Sequence, residues 1–182
     1  MNITQDYFSC YGLPCSFIVD VVALRKLHHS LQHQHHPDRF VSAPDSKQRR
    51  AVQITTYLNQ AYATLREPLK RGIYLLQLEG MDPIAPTNTQ MPMDFLLQQI
   101  ELRESLDDIH SAQDPESKID SMSALLTHQA SQLESEFAQA YQASDLSVAK
   151  RRALMALRVV LCWYLFNTLL FSLLLILFKA DL

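Results

Sequence analysis

Glycine is scarce in this 182-residue chain, which holds only three. So few exclude collagen-like and flexible-linker architectures and leave no material for the glycine-rich loop that cradles nucleotide phosphates. Cysteine is scarce too: Cys10, Cys15 and Cys162 are odd in number and none is spaced C-x-x-C, so neither a disulfide framework nor a four-cysteine zinc site is expected. A reducing compartment suits them. A net charge of −3 without a long basic run argues against nucleic acid as the main partner. No basic segment followed by an apolar stretch opens the sequence, so no secretory signal is expected. Nor does it contain a nucleophile elbow or paired catalytic carboxylates, so the expectation is a protein that is not an enzyme and carries no cofactor.

The excess lies at the other end. Between Val159 and Phe178, 17 of 20 residues are hydrophobic and none is charged, which leaves the rest an ordinary soluble composition of about 43% hydrophobic residues. That rest reads as all-helical, because apolar residues recur every three or four positions while β-branched residues are scattered. Asp6 to Leu13 makes a short helix closed by Gly12 and Pro14. Asp20 is placed to cap a helix with the stripe Leu24, Leu27 and Leu31, which ends near His36 because Pro37 disfavours helical geometry in the residue before it. A loop is expected from Pro37 to about Ser46. A long helix with Ala51, Ile54, Leu58, Ala61, Tyr62 and Leu65 on one side follows, and Pro68 starts a further turn carrying Leu69, Ile73 and Leu76. Gly80 and the prolines Pro83, Pro86 and Pro92 mark a linker. Three more helical patterns, Met93 to His110, Pro115 to Ala143, and Leu146 onward, are expected to form a small antiparallel bundle.

His36-Pro37-Asp38, followed by Arg39 and Phe40, sits between two antiparallel helices. Downstream, Asn59, Ala61, Tyr62, Leu65, Pro68, Arg71, Tyr74, Leu75 and Leu76 fall in a spacing that resembles the third helix and tail of a J-domain. Asp6-Tyr7-Phe8 and Gly12-Leu13-Pro14 resemble its opening. Within that superfamily the chain, from about Gln5 to Arg158, resembles the HscB family of co-chaperones in bacterial iron–sulfur cluster assembly. The resemblance implies an all-α fold: a J-domain helical hairpin at 5–80, a linker at 81–92 and a helical scaffold-binding domain of three helices at 93–158; the apolar tail at 159–178 follows. It implies two partners, an HscA-type ATPase chaperone and an IscU-type scaffold protein, and a cytoplasmic setting. The chaperone would be met by His36, Pro37 and Asp38 with Arg25, Lys26 and Arg39, and ATP hydrolysis stimulated there.

The residue types suit that task. Proline fixes one backbone angle and reduces the entropy lost on ordering the turn. Asp38 offers a carboxylate for a charge-assisted hydrogen bond to a partner's arginine, and His36 a ring that donates or accepts.

Five histidines, His28, His29, His33, His35 and His36, crowd into nine residues. Read as a metal site, His29 and His33 share a helix face, but no carboxylate or cysteine completes a ligand set, and no metal is expected. Read separately, His28 and His35 lie beside the leucine stripe as half-buried core residues, while His29 and His33 face outward. There they join Arg25 and Lys26 on the face that J-domains use for docking, and chaperone affinity is expected to rise modestly on acidification.

On a helical wheel from Met93, Phe95, Leu102, Leu106 and Ile109 form the core side, with Leu97, Ile100, Glu101, Glu104 and Asp108 opposite. Leu97 and Ile100 either contact a neighbouring bundle helix or belong to a docking patch in which apolar groups supply affinity and carboxylates supply orientation. The resemblance implies the second: Leu96, Leu97, Ile100, Glu101, Glu104 and Asp108 match positions with which the family holds its scaffold.

The tail departs from the family, whose last helix stays charged and amphipathic. Its 20 residues would span about 30 Å as a helix, enough for a hydrocarbon core. Lys150, Arg151, Arg152 and Arg158 before it would leave the body in the cytoplasm. A membrane anchor, a helix buried on the bundle, and a terminus altered by a frame shift after about Arg158 are the three readings. The alternative functions are a general or membrane-tethered J-protein serving a DnaK-type chaperone, and a histidine-rich metal-binding protein.

Overall fold

A computed structural model describes residues 6–82, 92–107 and 114–156. The chain divides into two compact units, Met1–Met81 and Asp82–Leu182. All regular structure among the described residues is helical.

The first unit begins with α1 (Tyr7–Tyr11), a helix of five residues held at both ends. The Asp6 carboxylate accepts from the Ser9 backbone N–H at 2.9 Å, and Gly12, at φ +65°, takes the left-handed conformation that lets its N–H bond back to the helix. The helix is shorter than the span Asp6 to Leu13 because Gly12 closes it at once. Tyr7 and Tyr74 stack with ring centroids 4.4 Å apart, and the Tyr74 hydroxyl accepts from the Tyr7 N–H at 3.0 Å, satisfying one orphan donor of the first turn.

Helix α2 (Val21–His35) starts where Asp20 accepts from the N–H groups of Val22 and Ala23. It stops at His35, before Pro37. Pro37–Phe40 is a single 3-10 turn rather than part of an open loop, and α3 (Asp45–Leu65) starts right after Pro44. The expected loop is therefore shortened from both sides. Gln48 on α3 ties it down, its amide donating to the carbonyls of Val41 at 3.0 Å and Ala43 at 2.9 Å. Helix α4 (Pro68–Leu78) begins on Pro68 as its first residue. Buried Arg71 donates to the Leu65 carbonyl at 2.6 Å, capping the end of α3, and lies 5.1 Å over the Phe17 ring.

The core is built from Phe8, Leu24, Leu58, Leu65, Leu75 and Leu76, all fully buried, and burying each such side chain favours folding by about 1.5–3 kcal/mol. Leu27, expected in the same stripe, stays 38% exposed. His28 takes the interior place instead. Its ring stacks on Tyr62 with centroids 4.2 Å apart and planes 7° from parallel.

In the second unit, α5 (Met93–Asp107) buries Phe95 and Leu102. Helix α6 (Pro115–Gln142) is capped by Asp114, which accepts from the Ser117 N–H, and buries Met122, Leu126, Leu133, Phe137 and Ala140. Ser144, at φ +59°, reverses the chain in a left-handed conformation that costs a side-chain-bearing residue about 1–2 kcal/mol. Two bonds offset that cost: Ser144 N–H to Tyr141 O and Asp145 N–H to Ala140 O. Asp145 then caps α7, helical over 146–156, whose Ala149, Ala153 and Ala156 form a buried small-residue face. Arg152 on α7 and Glu136 on α6 form an ion pair at 2.8 Å.

Among the described residues no helix is long and apolar enough to cross a membrane. The stretch 159–178 lies outside them, as do His110, Asp108 and Ile109.

Candidate functional site

The turn Pro37–Phe40 is the first candidate. Its geometry follows from what Pro37 removes. In a continued helix the His33 carbonyl would accept from residue 37, but proline has no N–H. The Arg39 side chain supplies the missing donor, its guanidinium nitrogen lying 3.3 Å from the His33 carbonyl oxygen and 3.4 Å from His33 Nδ1. The Arg39 N–H bonds to the His36 carbonyl at 3.1 Å, so it is not available to His35. The His35 carbonyl instead accepts from the Thr55 hydroxyl of α3, at 3.1 Å.

His36 Nδ1 lies 3.3 Å from the Asp38 N–H, which donates to it, and 3.4 Å from Asp38 Oδ2. The His36 side chain is 53% exposed and that of Asp38 84%. The carboxylate therefore stands in solvent on a turn whose backbone is bonded from within. Pro37 is half-buried, and Arg25, Lys26 and Arg39 are exposed. Arg39 differs from a plain docking cation, because its guanidinium is folded back onto the end of α2.

The turn stands on a cross-helix ladder. His28 meets Tyr62, Gln32 Nε2 donates to Asn59 Oδ1 at 2.7 Å, and His35 meets Thr55. The numbers rise along α2 as they fall along α3, which is the antiparallel register. At its base, the Tyr11 hydroxyl is 2.9 Å from both the Leu58 carbonyl and His28 Nδ1. A carbonyl only accepts, so the single phenolic proton goes to Leu58 and His28 Nδ1 carries its own proton toward the Tyr11 oxygen. Burial, with Cys10 and Tyr62 nearby, pushes the Tyr11 phenol up and keeps it a donor. Burial, with His29 beside it, lowers His28 below the ordinary imidazole value and so favours its neutral form.

Of the histidines expected to be half-buried, His28 is buried and His35 half-buried; His29 and His33 are exposed. Among the described residues no group of three or more His, Cys, Asp or Glu side chains is placed to hold a metal ion. The Cys10 thiol is pushed up to about 11 by burial and by Asp6, which leaves little reactive thiolate.

The second candidate is the outer face of α5. Leu97 is 51% and Ile100 54% exposed, with Glu101 and Glu104 exposed beside them. Neither aliphatic side chain is taken up by a neighbouring helix among the described residues. Leu96 is half-buried, on the flank between this face and the core. Met93, at 68% exposure, lies on the same line as Leu97, Ile100 and Glu104 at about 100° per residue, and extends the apolar stripe by one turn. Sequence reasoning passed over Met93 because it stands where the helix begins. It passed over Thr55 because a threonine twenty positions from its partner leaves no local signal.

Comparison with known proteins places the chain in a family. The family model described as the HSCB C-terminal oligomerisation domain matches residues 91–157. The co-chaperone protein HscB homolog of Paraburkholderia xenovorans is 44% identical over 126 residues, covering 69% of this chain and 70% of that protein. That of Ralstonia nicotianae is 47% identical over 127 residues, 69% of this chain and 72% of that protein. Among solved structures, chaperone HscB from Vibrio cholerae superposes with a TM-score of 0.83 at 27% identity, over 93% of this chain and 99% of that one. The crystal structure of human co-chaperone HscB gives 0.85 at 26% identity, over 92% and 83%. Identity of this extent, over more than two thirds of this chain and of its relatives, means that the chain belongs to the HscB family of co-chaperones.

Proposed function

We propose that this chain carries an IscU-type iron–sulfur scaffold protein to an HscA-type ATPase chaperone and stimulates ATP hydrolysis there, in the cytoplasm. The observation that carries the reading is the Asp38 carboxylate, exposed on a turn whose neighbouring backbone groups are already bonded. An exposed carboxylate on a bonded turn is suited to a charge-assisted bond with a partner's arginine. His36, Pro37, Arg39, Arg25 and Lys26 make up the chaperone-binding face in this reading, and the unit at 5–80 acts as its J-domain.

Leu96, Leu97, Ile100, Glu101 and Glu104 form the scaffold-binding face, with Met93 added to it. The half-exposed aliphatic pair supports this reading over a general J-protein for a DnaK-type chaperone, which has no need of a second apolar face ringed by carboxylates. Asp108, assigned to the same face from the sequence, lies outside the described residues.

Asp38→Asn keeps size and removes charge. In a steady-state ATPase assay with an HscA-type chaperone, with and without scaffold, the variant is expected to fold normally and to lose stimulation entirely. Undiminished stimulation by a folded Asp38→Asn chain overturns the proposal.

A further inference from the structure

Two carbonyls near the end of α2 lose their helical donors once Pro37 stops the helix, and both find side chains. The His33 carbonyl takes Arg39, which belongs to the turn itself. The His35 carbonyl takes Thr55, which belongs to α3. The second bond joins the end of α2 to α3, as the Gln48 bonds to Val41 and Ala43 join the chain after the turn to α3. Thr55 is half-buried, and its hydroxyl also lies 2.9 Å from the Ala51 carbonyl, the ordinary back-bond of a threonine inside a helix. One proton is thus shared between an intrahelical carbonyl and the last carbonyl of a different helix.

We infer that Thr55 is the positioning residue of the His36-Pro37-Asp38 turn: its hydroxyl fixes the direction in which the Asp38 carboxylate is presented to an ATPase chaperone. The inference rests on the proposed role of that turn. The physical argument is one of lever arms. His36 adjoins the pinned carbonyl, and Asp38 is reached through Pro37, whose fixed backbone angle transmits orientation instead of absorbing it. The His36 ring and the Asp38 amide are bonded to each other, so the turn moves as one piece. Freed at His35, the piece would pivot on the end of α2. The ladder rung before it, Gln32 with Asn59, holds the helix axis but lies a turn farther from the carboxylate.

Without its hydroxyl, the turn should sample other directions in the free protein. A net hydrogen bond of ordinary strength corresponds to about a fivefold shift in such an equilibrium. Because the α2 cations Arg25 and Lys26 do not move, encounter with the chaperone should be nearly unaffected. The loss falls on what the bound complex does.

The test uses the full chain with Thr55→Val, which keeps the shape and removes the donor, and Thr55→Ser, which restores the donor. Each is titrated into an ATPase assay with the HscA-type chaperone, and amide exchange at Asp38 and Arg39 is measured in the free chain. Expected for Thr55→Val are about fivefold lower maximal stimulation, a half-saturating concentration within about twofold of the parent, and about fivefold faster exchange at both amides. Thr55→Ser should recover both readouts. Parent-like exchange and stimulation in Thr55→Val overturn the inference, and so does an equal loss in Thr55→Val and Thr55→Ser, which would assign the effect to packing.

Asp38→Asn separates this result from the function itself. If it stimulates normally, the role of the turn fails, and the exchange readout alone still decides whether Thr55 positions it. If Thr55→Val does not fold, Thr55→Ala against Thr55→Ser gives the same contrast with less bulk at stake.

Discussion

The two units bury one face of each helix with different chemistry. Residues 6–81 lock their interior with aromatic rings that also hydrogen-bond: Tyr7 on Tyr74, His28 on Tyr62, and the Tyr11 hydroxyl between His28 and Leu58. Residues 92–156 bury Phe95 and Phe137, the latter 5.9 Å from the Tyr141 ring, among aliphatic side chains and the alanines that give α7 its small-residue face. The exposed surfaces follow the same division. The first unit presents a polar turn with its backbone bonded from within, whereas the second presents an apolar stripe from Met93 to Ile100 flanked by carboxylates. A turn that offers one directed bond needs an interior that resists rotation, and directional bonds provide that. A docking face that works by apolar area tolerates a softer support, because area has no direction.

Breaking the aromatic interior tests that contrast most severely. Phe8→Ala empties a fully buried site and should destabilise the first unit by about 3–5 kcal/mol. Amide exchange should report the loss across 6–81 while the protection of 114–156 persists; equal loss in both would mean that the two units unfold together.

Truncating Leu96, Leu97 and Ile100 to alanine together should leave the fold intact and weaken binding of an IscU-type scaffold by about 2–3 kcal/mol, or roughly 30- to 150-fold. Calorimetric titration gives the affinity, and the chaperone stimulation seen without scaffold should be unchanged. If both activities fall together, the stripe supports the fold and not a partner.

The smallest effect concerns His28. Its folded value is lowered, so between the ordinary imidazole range near 6.5 and the folded value the unfolded chain binds more protons. Stability from this group is fully present above that range and is lost as pH falls through it. His28→Phe keeps a ring against Tyr62 and removes the titration. Its melting temperature should change less between pH 7.5 and 5.5 than that of the parent; parallel curves would remove His28 as the cause.

Much of this was legible from residue order. Asp20 announces a helix start because a cap acts on N–H groups two or three residues away, and Asp6, Asp114 and Asp145 prove to act in the same way. Gly12 and Pro37 announce helix ends for reasons equally local. The outward placement of Leu97 and Ile100 followed from the 100° step of the helix, with no knowledge of what lies opposite. Leu27 went the other way: periodicity put it inside, but a neighbouring ring, His28, fills the interior place.

What the sequence determined by itself, then, is the set of helices, their order, and the chemistry available at the His36-Pro37-Asp38 turn and on the face of α5, because each depends on interactions spanning four residues or fewer. The tertiary structure alone decided that Thr55 bonds the end of α2, that Arg39 folds back onto His33, and that His28 is buried against Tyr62 and Tyr11. Each of those outcomes needed a carbonyl or ring left unsatisfied in one segment to meet a donor or a ring brought near by the packing, and no local pattern records such a meeting.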